Sequence, residues 1–513
     1  MRDLSRRNLL KASAAVGAGA VVAPGLMAGG TPGIAADGSG VGVDGPDSAV
    51  DGSGAPLGAR HPKAKLTGRI VRPQNPGYPS ASLGWDELFV HYPLVIVFAQ
   101  ETQDVVNALT WARQNNVALR VRSGRHSLEG WSNVDNGIVI DVSELKGAHI
   151  DPAARIARVG AGLNQLEAVT TLGEYDLAAT TGTEGSVGLS GATLGGGFGF
   201  LTRYLGMACD NLVGAEIVVA SGADGAEVLQ VDPWKHSDLL WALRGAGNGN
   251  FGIVTSLTYK VAPLKRVAYV QATWEGLGDL YRVFDTWQRF APFADPRLGT
   301  QVEVHKSQIL FFGVLAEGSE AEARHLLEPL LSIGRPEVTV QIGGWGDVYA
   351  GFQIPTEDEP ANWKFFSQFV QEPFPRRAIS VIGSFLADAP SEDSNYFTQA
   401  FGTGMQRREP FGGTAFPHRD SLFYGEPGIG WGTRGEPDSG DALTARAQTW
   451  IAEFSQALRP YVDGAYVNVP NIGMAEWEKA YWGHNFARLR KIKAKYDPHN
   501  VFQYEQSVPP ATC

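Results

Sequence analysis

The chain has 513 residues, 43% of them hydrophobic and 10% aromatic, enough to pack two or three domains and too apolar for global disorder. Its formal net charge is −11, from 43 basic and 54 acidic residues with no long basic run, which argues against nucleic acid as a partner. The two cysteines, Cys209 and Cys513, lack metal-site spacing, so no metal is expected, and a disulfide between them is allowed but not required.

The first predicted element is a targeting segment. Arg6-Arg7 stands ahead of Leu9-Leu10-Lys11 and a mildly apolar Ala/Val/Gly stretch that is too short and glycine-rich for a membrane span. This fits a twin-arginine export signal over residues 1–36, with cleavage near Ala35 or Ala36. The expected partner is the twin-arginine export machinery, and the expected destination is extracytoplasmic. Residues 37–60 are rich in Gly, Ser, Asp and Pro and read as a flexible linker.

From about Pro93 the texture is α/β. LVIVFA and VALRVR read as strands around the helix ETQDVVNALTWARQNN, whose apolar face is Val105, Val106, Leu109 and Ala112. GIVIDVS and ARIARVGAG follow as strands, LNQLEAVTTLGEYD as a helix, AEIVVAS as a strand and DLLWALRGAG as a helix. Between about residues 262 and 460, strands such as AYVQATW, RLGTQVEVHKSQILFFGVLA and EVTVQIGG alternate with helices. That pattern predicts an antiparallel sheet with helices on one side. The last fifty residues return to a helix, AEWEKAYWGHNFARLRKIKAKYD.

Glycine clusters at three places in the α/β region. RSGRHS (122–127) ends a strand at Ser123-Gly124, where successive N–H groups can curl around an anion. A second loop carries Gly188, Gly191, Gly195, Gly196, Gly197 and Gly199, and a third is LRGAGNGNFG (243–252). None has the strand–Gly-x-Gly-x-x-Gly–helix layout of a Rossmann unit. Three loops in one region favour an extended nucleotide cofactor over a single phosphate.

RSGRHS, GTEGSVGLSGATLGGGFGFLTRYLGMACDN, WALRGAGNGNFGIVTSL and the terminal YDPHNVF…QSVPP, in that order, resemble the berberine-bridge-enzyme-like family. Its members are flavin oxidases with the vanillyl-alcohol-oxidase type of FAD-binding fold, and the likeness runs from about residue 85 to 510. The resemblance implies an α+β protein whose FAD-binding domain is in two parts, over 61–262 and 462–513. Between them, over 263–461, it places a substrate domain with an antiparallel sheet covered by helices. It implies FAD held by one covalent bond through His126, the histidine of the family's R-S-G-G-H, to the flavin 8α-methyl. Arg122, Ser123, Gly124, Arg125 and Ser127 surround that anchor, and Arg125 stands where the family has its second glycine. Glu184, Val187, Gly188, Gly191, Gly195, Gly196, Gly199, Gly252 and Val254 complete the expected cofactor-binding set.

Three departures from the family shape the expected chemistry. Many relatives have a second flavin tether, a cysteine, where this chain has Glu184, and Cys209 does not substitute for it. Val187 matches a position where valine accompanies reactivity with oxygen. The tyrosine that serves alcohol-oxidising relatives as general base is Val469 here, and a second tyrosine position is Phe198. Tyr466, three residues before Val469, would face away if AYVNVPN were an extended strand. Either Tyr424, Glu409 or Glu184 serves as the base, or the substrate is a neutral amine, whose lone pair drives hydride loss without a strong base. In REPFGGTAFPHR, structural roles are expected for His418 and Arg419, while Gln406, Arg408 and Glu409 could line the pocket. The reading is an exported FAD-dependent oxidase. It takes a hydride from an alcohol, sugar or amine C–H and reduces O2 to H2O2. The alternatives are a dehydrogenase using another electron acceptor and a flavin-binding protein that has lost catalysis.

Overall fold

The computed structural model describes residues 63–406, 408–436 and 440–512. The expected signal and linker, and Cys513, lie outside the described residues.

A small sheet holds the first functional turn. Its strands are β1 (Arg69–Val71), β2 (Val95–Phe98), β3 (Leu119–Arg122) and β4 (Ile138–Asp141), in the order β1-β2-β4-β3. β2 and β3 both run parallel to β4. Val95, Ile96, Val97, Ile138, Val139 and Ile140 are all fully buried, as a parallel sheet covered on both faces requires. The helix Thr102–Gln114 makes the crossover. It starts at a capping box between Glu101 and Asp104 and buries Val105, Ala108, Leu109 and Ala112.

A second, antiparallel sheet has the order β5-β6-β10-β8-β9. It is built from β5 (Ala148–Asp151), β6 (Ile156–Gly160), β8 (Leu212–Ser221), β9 (Gly225–Val231) and β10 (Ile253–Lys260), while the short β7 (Leu177–Ala178) pairs with β11 (Ala262–Pro263). Residues from the C-terminal segment, among them Ala465, Trp482, Leu489, Phe502 and Val508, pack into the same core as Val97, Ile140 and Ile217. Distant parts of the chain therefore share one apolar interior.

The third sheet has eight strands: β12 (Val267–Glu275), β13 (Leu298–His305), β14 (Gln308–Ala316), β15 (Glu337–Gly343), β16 (Pro360–Phe365), β17 (Gln368–Val370), β18 (Ser394–Ala400) and β19 (Phe423–Thr433). Every pairing in it is antiparallel. Alternation divides its side chains between two environments. Val302, Val304, Tyr396, Phe423, Ile429 and Trp431 join a core with the helices Leu280–Phe290, Glu320–Leu331, Arg376–Ala387 and Asp441–Leu458. The intervening residues Glu303, Asn395, Phe397, Tyr424 and Glu426 line a cavity on the opposite face.

Two expectations change. The long terminal helix is broken into Trp477–Trp482, a 3-10 turn at Gly483–Asn485 and Phe486–Tyr496, because Gly483 takes φ +50°. The stretch 465–470 is not an extended strand but a turn, closed by the N–H of Val469 donating to the carbonyl of Tyr466 at 2.9 Å. Tyr466 and Val469 consequently face the same cavity.

Candidate active site

β3 delivers the chain into the turn at Ser123–Ser127. Arg125 adopts φ +65°, the left-handed conformation that glycine takes freely. A side chain there costs about 1–2 kcal/mol. The Arg125 guanidinium donates to the Ser80 carbonyl at 3.0 Å and sits 5.8 Å from the Phe98 ring centre, contacts that glycine could not make. Gly124 needs to be glycine, since a methyl group on it would overlap the backbone of Gly188. Two of the expected loops thus touch backbone to backbone. Among the described residues, the N–H groups of Gly124, Arg125, His126 and Ser127 find no acceptor, and all four residues line the cavity. Beneath the turn, Arg122 is fixed by a buried ion pair with Asp141 at 2.7 Å, and its Nη1 has no partner.

His126 sits deep in this wall. Its ring stacks on Trp85 at 4.9 Å, and Trp85 is held by a 2.9 Å hydrogen bond from its Nε1 to Glu359. His126 Nε2 lies 2.9 Å from Ser186 Oγ, and that hydroxyl donates to Glu184 Oε1, also at 2.9 Å. Burial, with the nearby Arg434 cation, pushes the His126 pKa down to about 3, so the imidazole is neutral.

The cavity has a volume of about 470 Å³ and runs between the small sheet and the eight-stranded sheet. Of the expected cofactor-binding residues it gathers Arg122, Ser123, Gly124, Arg125, His126 and Ser127 from the first loop. Glu184, Val187, Gly188 and Gly191 come from the second, and Gly252 and Val254 from the third. Gly195, Gly196 and Gly199 do not line it. A methyl group at Gly195 would overlap the Asn468 side chain, one at Gly196 would crowd Met207, and one at Gly199 would overlap the Thr181 carbonyl. These three glycines serve close packing within the protein.

The far wall is aromatic and acidic. Phe198 touches Phe401, Tyr424 and Tyr466, with ring centres 4.8–5.2 Å apart. Tyr424 and Glu426 are two residues apart on β19 and share one face, and the Tyr424 hydroxyl donates to Glu426 Oε2. Glu303, Phe397 and Glu426 lie side by side across β13, β18 and β19. Burial, reinforced by Glu303, pushes the Glu426 carboxyl up to about 7, although the Tyr424 hydrogen bond opposes the shift. Tyr466 Oη accepts from Gly197 N at 2.8 Å and Asn468 Nδ2 at 2.7 Å, and burial keeps the phenol protonated.

Glu426 and Tyr466 are absent from the expected site; the signal for Glu426 was its place two residues beyond Tyr424 in one strand. Glu409 lies outside the cavity on an exposed loop, accepting from Thr414. Gln406 and Arg408 are exposed and do not line it either. His418 stacks on Phe369 at 4.0 Å, Arg419 grips Asp210 with two hydrogen bonds, and neither lines the cavity. Cys209 is buried and has no disulfide partner among the described residues, and burial raises its pKa.

The residues present fit FAD. The unsatisfied N–H groups of the first turn suit the oxygens of a pyrophosphate. Among the described residues, Gly191 and Gly249 have open space where a side chain would stand, and the buried Asn248 Oδ1 has no partner. Tyr504, stacked with Trp131, lines the same cavity as Phe198 and Tyr424, so it offers aromatic faces to the flat rings of a dinucleotide.

Comparison with known proteins agrees. Residues 93–223 match the profile of the FAD binding domain and residues 465–509 that of the berberine and berberine-like family. Residues 3–23 match the twin-arginine translocation pathway signal. The chain is therefore exported by that pathway, and no helix among the described residues is long and apolar enough to cross a membrane. The FAD-linked oxidoreductase YgaK of Bacillus subtilis is 40% identical over 451 residues, covering 87% of this chain and 98% of its own. The (R)-6-hydroxynicotine oxidase of Paenarthrobacter nicotinovorans is 26% identical, covering 87% and 97%. The solved structure of Physcomitrella patens BBE-like 1 superposes with a TM-score of 0.79 at 25% identity, covering 87% of this chain and 97% of that one. The chain belongs to the berberine-bridge-enzyme-like FAD-linked oxidoreductases.

Proposed function

We propose that this exported oxidoreductase is an oxidase that carries FAD on a single covalent bond to His126. It oxidises an alcohol, a sugar or an amine, with Tyr424 and Glu426 as its proton acceptor. FAD, held in this cavity by the RSGRHS turn and His126, would supply the two-electron acceptor for a hydride from substrate carbon, and its reoxidation by O2 would yield H2O2. Residues 61–262 and 462–513 are read as the two parts of the cofactor-binding domain, and 263–461 as the substrate domain.

The observation that carries this reading is the Tyr424–Glu426 pair, facing the same cavity as His126. With Glu426 ionised, Tyr424 Oη keeps a lone pair for the substrate. It accepts the proton of a hydroxyl or ammonium group as its own proton moves to Glu426 Oε2. A carboxyl whose pKa lies near 7 is well matched to such a transfer at neutral pH. Phe198, Phe369 and Phe397 pack against Tyr424 and give the pair apolar surroundings. The pair takes over a task for which Val469 and Phe198 have no acidic group. Likeness to (R)-6-hydroxynicotine oxidase supports an amine among the substrates, and Val187 on the cavity wall supports oxygen as the acceptor.

The test is direct. After acid denaturation of the purified protein the yellow colour should stay with the polypeptide; free flavin in the supernatant would refute the His126 bond. Substrate should bleach the flavin in the absence of air. Admitting air should restore the spectrum at once, with one H2O2 per substrate. Reduced protein that persists in air would identify a dehydrogenase instead. A panel of alcohols, sugars and amines that never bleaches it would identify a flavin-binding protein without catalysis.

A further inference from the structure

The place of the missing second tether is filled by a carboxylate that reaches His126 through one hydroxyl. Glu184 Oε1 accepts from both the N–H of Ser186 at 3.2 Å and its Oγ at 2.9 Å. A carboxylate only accepts, so the Ser186 hydroxyl proton is committed to Glu184, and its oxygen is left as an acceptor toward His126. The 2.9 Å contact with His126 Nε2 is then an Nε2–H donating to Ser186 Oγ. In a neutral imidazole that leaves Nδ1 without a proton, and no described residue hydrogen-bonds to Nδ1. Trp85, stacked on the ring, limits its tilt.

We infer that Glu184 and Ser186 are positioning residues for flavin attachment, fixing His126 as the Nε2–H tautomer so that Nδ1 presents its lone pair to the cavity. The inference rests on the reading of His126 as the covalent anchor. In the step it serves, Nδ1 gains a bond to the 8α carbon as one C–H bond there breaks. That electron pair enters the ring system, and O2 removes it as H2O2. The two protons required come from the 8α carbon and from the Nε2–H of the imidazolium that bond formation creates. Glu184 stands one hydroxyl away from that cation, so its charge offsets the cation as it forms. A position that tethers the flavin directly in many relatives here assists the other tether.

The experiment compares wild type with Ser186→Ala, Ser186→Thr, Glu184→Leu and Glu184→Gln, each purified as the full chain with its flavin. Total flavin is read from absorbance, and covalent flavin from what stays with the denatured polypeptide and from the mass of the His126 peptide. We expect the covalent fraction to fall at least about tenfold in Ser186→Ala and Glu184→Leu with total flavin retained. Ser186→Thr keeps the hydroxyl and should restore attachment, whereas Glu184→Gln keeps an acceptor oxygen without the charge and should give a covalent fraction between those of Glu184→Leu and wild type. Wild-type covalent fractions in both Ser186→Ala and Glu184→Leu would overturn the inference alone. So would a loss of total flavin at an unchanged covalent fraction, which would mark the pair as merely structural. A wild type that releases all its flavin would overturn the covalent reading, and this inference with it.

Discussion

Two walls of the cavity, one carrying His126 and the other Tyr424, are built in different ways. At the His126 wall, backbone does the work: a left-handed residue, two glycines touching across loops and a row of unsatisfied N–H groups. At the Tyr424 wall, side chains from three strands meet on one face of an antiparallel sheet, in the row Glu303, Phe397, Glu426. The first depends on backbone conformation and a close contact between loops, the second on strand register, with Glu303 facing Phe397 from ninety-four positions earlier in the chain and Glu426 facing it from twenty-nine later. Each should therefore fail in its own way when altered. Damage at the first should cost cofactor, and damage at the second should cost turnover.

The largest effect that would sharpen this contrast is expected from Tyr424→Phe. The ring stays in its packing against Phe198 and Phe369, and only the hydroxyl that bridges substrate and Glu426 is lost. Turnover should fall about 10²–10⁴-fold, the usual weight of a general base, with covalent flavin unchanged. Loss of flavin from this variant would break the division, because it would show that the sheet face also holds the cofactor.

Glu426→Gln should give a smaller loss with a distinctive pH signature. The carboxyl titrates near 7 instead of its ordinary 4.5, and it takes the proton only when ionised. Wild-type kcat should therefore rise as pH increases through about 7 and level off above it. The variant should show a lower kcat and no such limb. Stability has the opposite sign. The raised pKa means that the folded protein keeps a proton the unfolded chain has released. The stabilisation from this group is complete below about 4.5 and is lost as pH rises through about 7. Melting temperatures measured across that window in both proteins would check it. A wild-type kcat flat across pH 7 would remove Glu426 from the mechanism.

How much of this was legible in the sequence follows the same division. The RSGRHS turn could be placed because a strand, a Ser-Gly turn and a histidine are adjacent in the chain, and the Arg in place of glycine is accommodated at φ +65°. Tyr424 could be reached only as one candidate among several, and Glu426 not at all. On β19 the helix-facing positions include Gly425 and Pro427 as well as Phe423, Ile429 and Trp431, so the apolar alternation that marks a half-buried strand is interrupted next to the functional pair. Tyr466 was hidden by a different cause. Read as extended it points away from Val469, but a turn closed by one backbone hydrogen bond brings both to the cavity. The two helices around Gly483 look continuous in sequence because their apolar period carries through the break.

The smallest effect tests Glu409, a candidate base in REPFGGTAFPHR that does not line the cavity. Glu409 sits on an exposed loop, its Oε1 accepting from Thr414 N at 3.2 Å and Thr414 Oγ1 at 3.3 Å, with Arg419 Nε 3.7 Å away. Arg419 does not depend on it, being held by the buried Asp210 carboxylate, with a 2.9 Å hydrogen bond from Nη1 to Oδ2. Glu409→Gln retains an acceptor oxygen for Thr414 and gives up only a half-exposed charge. An ion pair of that kind contributes about 0–1 kcal/mol. We expect kcat, its pH profile and covalent flavin to match wild type, with at most a small drop in melting temperature. A turnover defect comparable to that of Tyr424→Phe would mean that the loop closes over the cavity during catalysis. The acid–base machinery would then be split between the sheet face and this loop, and the contrast between a backbone-built wall and a side-chain-built wall would need a third, mobile element.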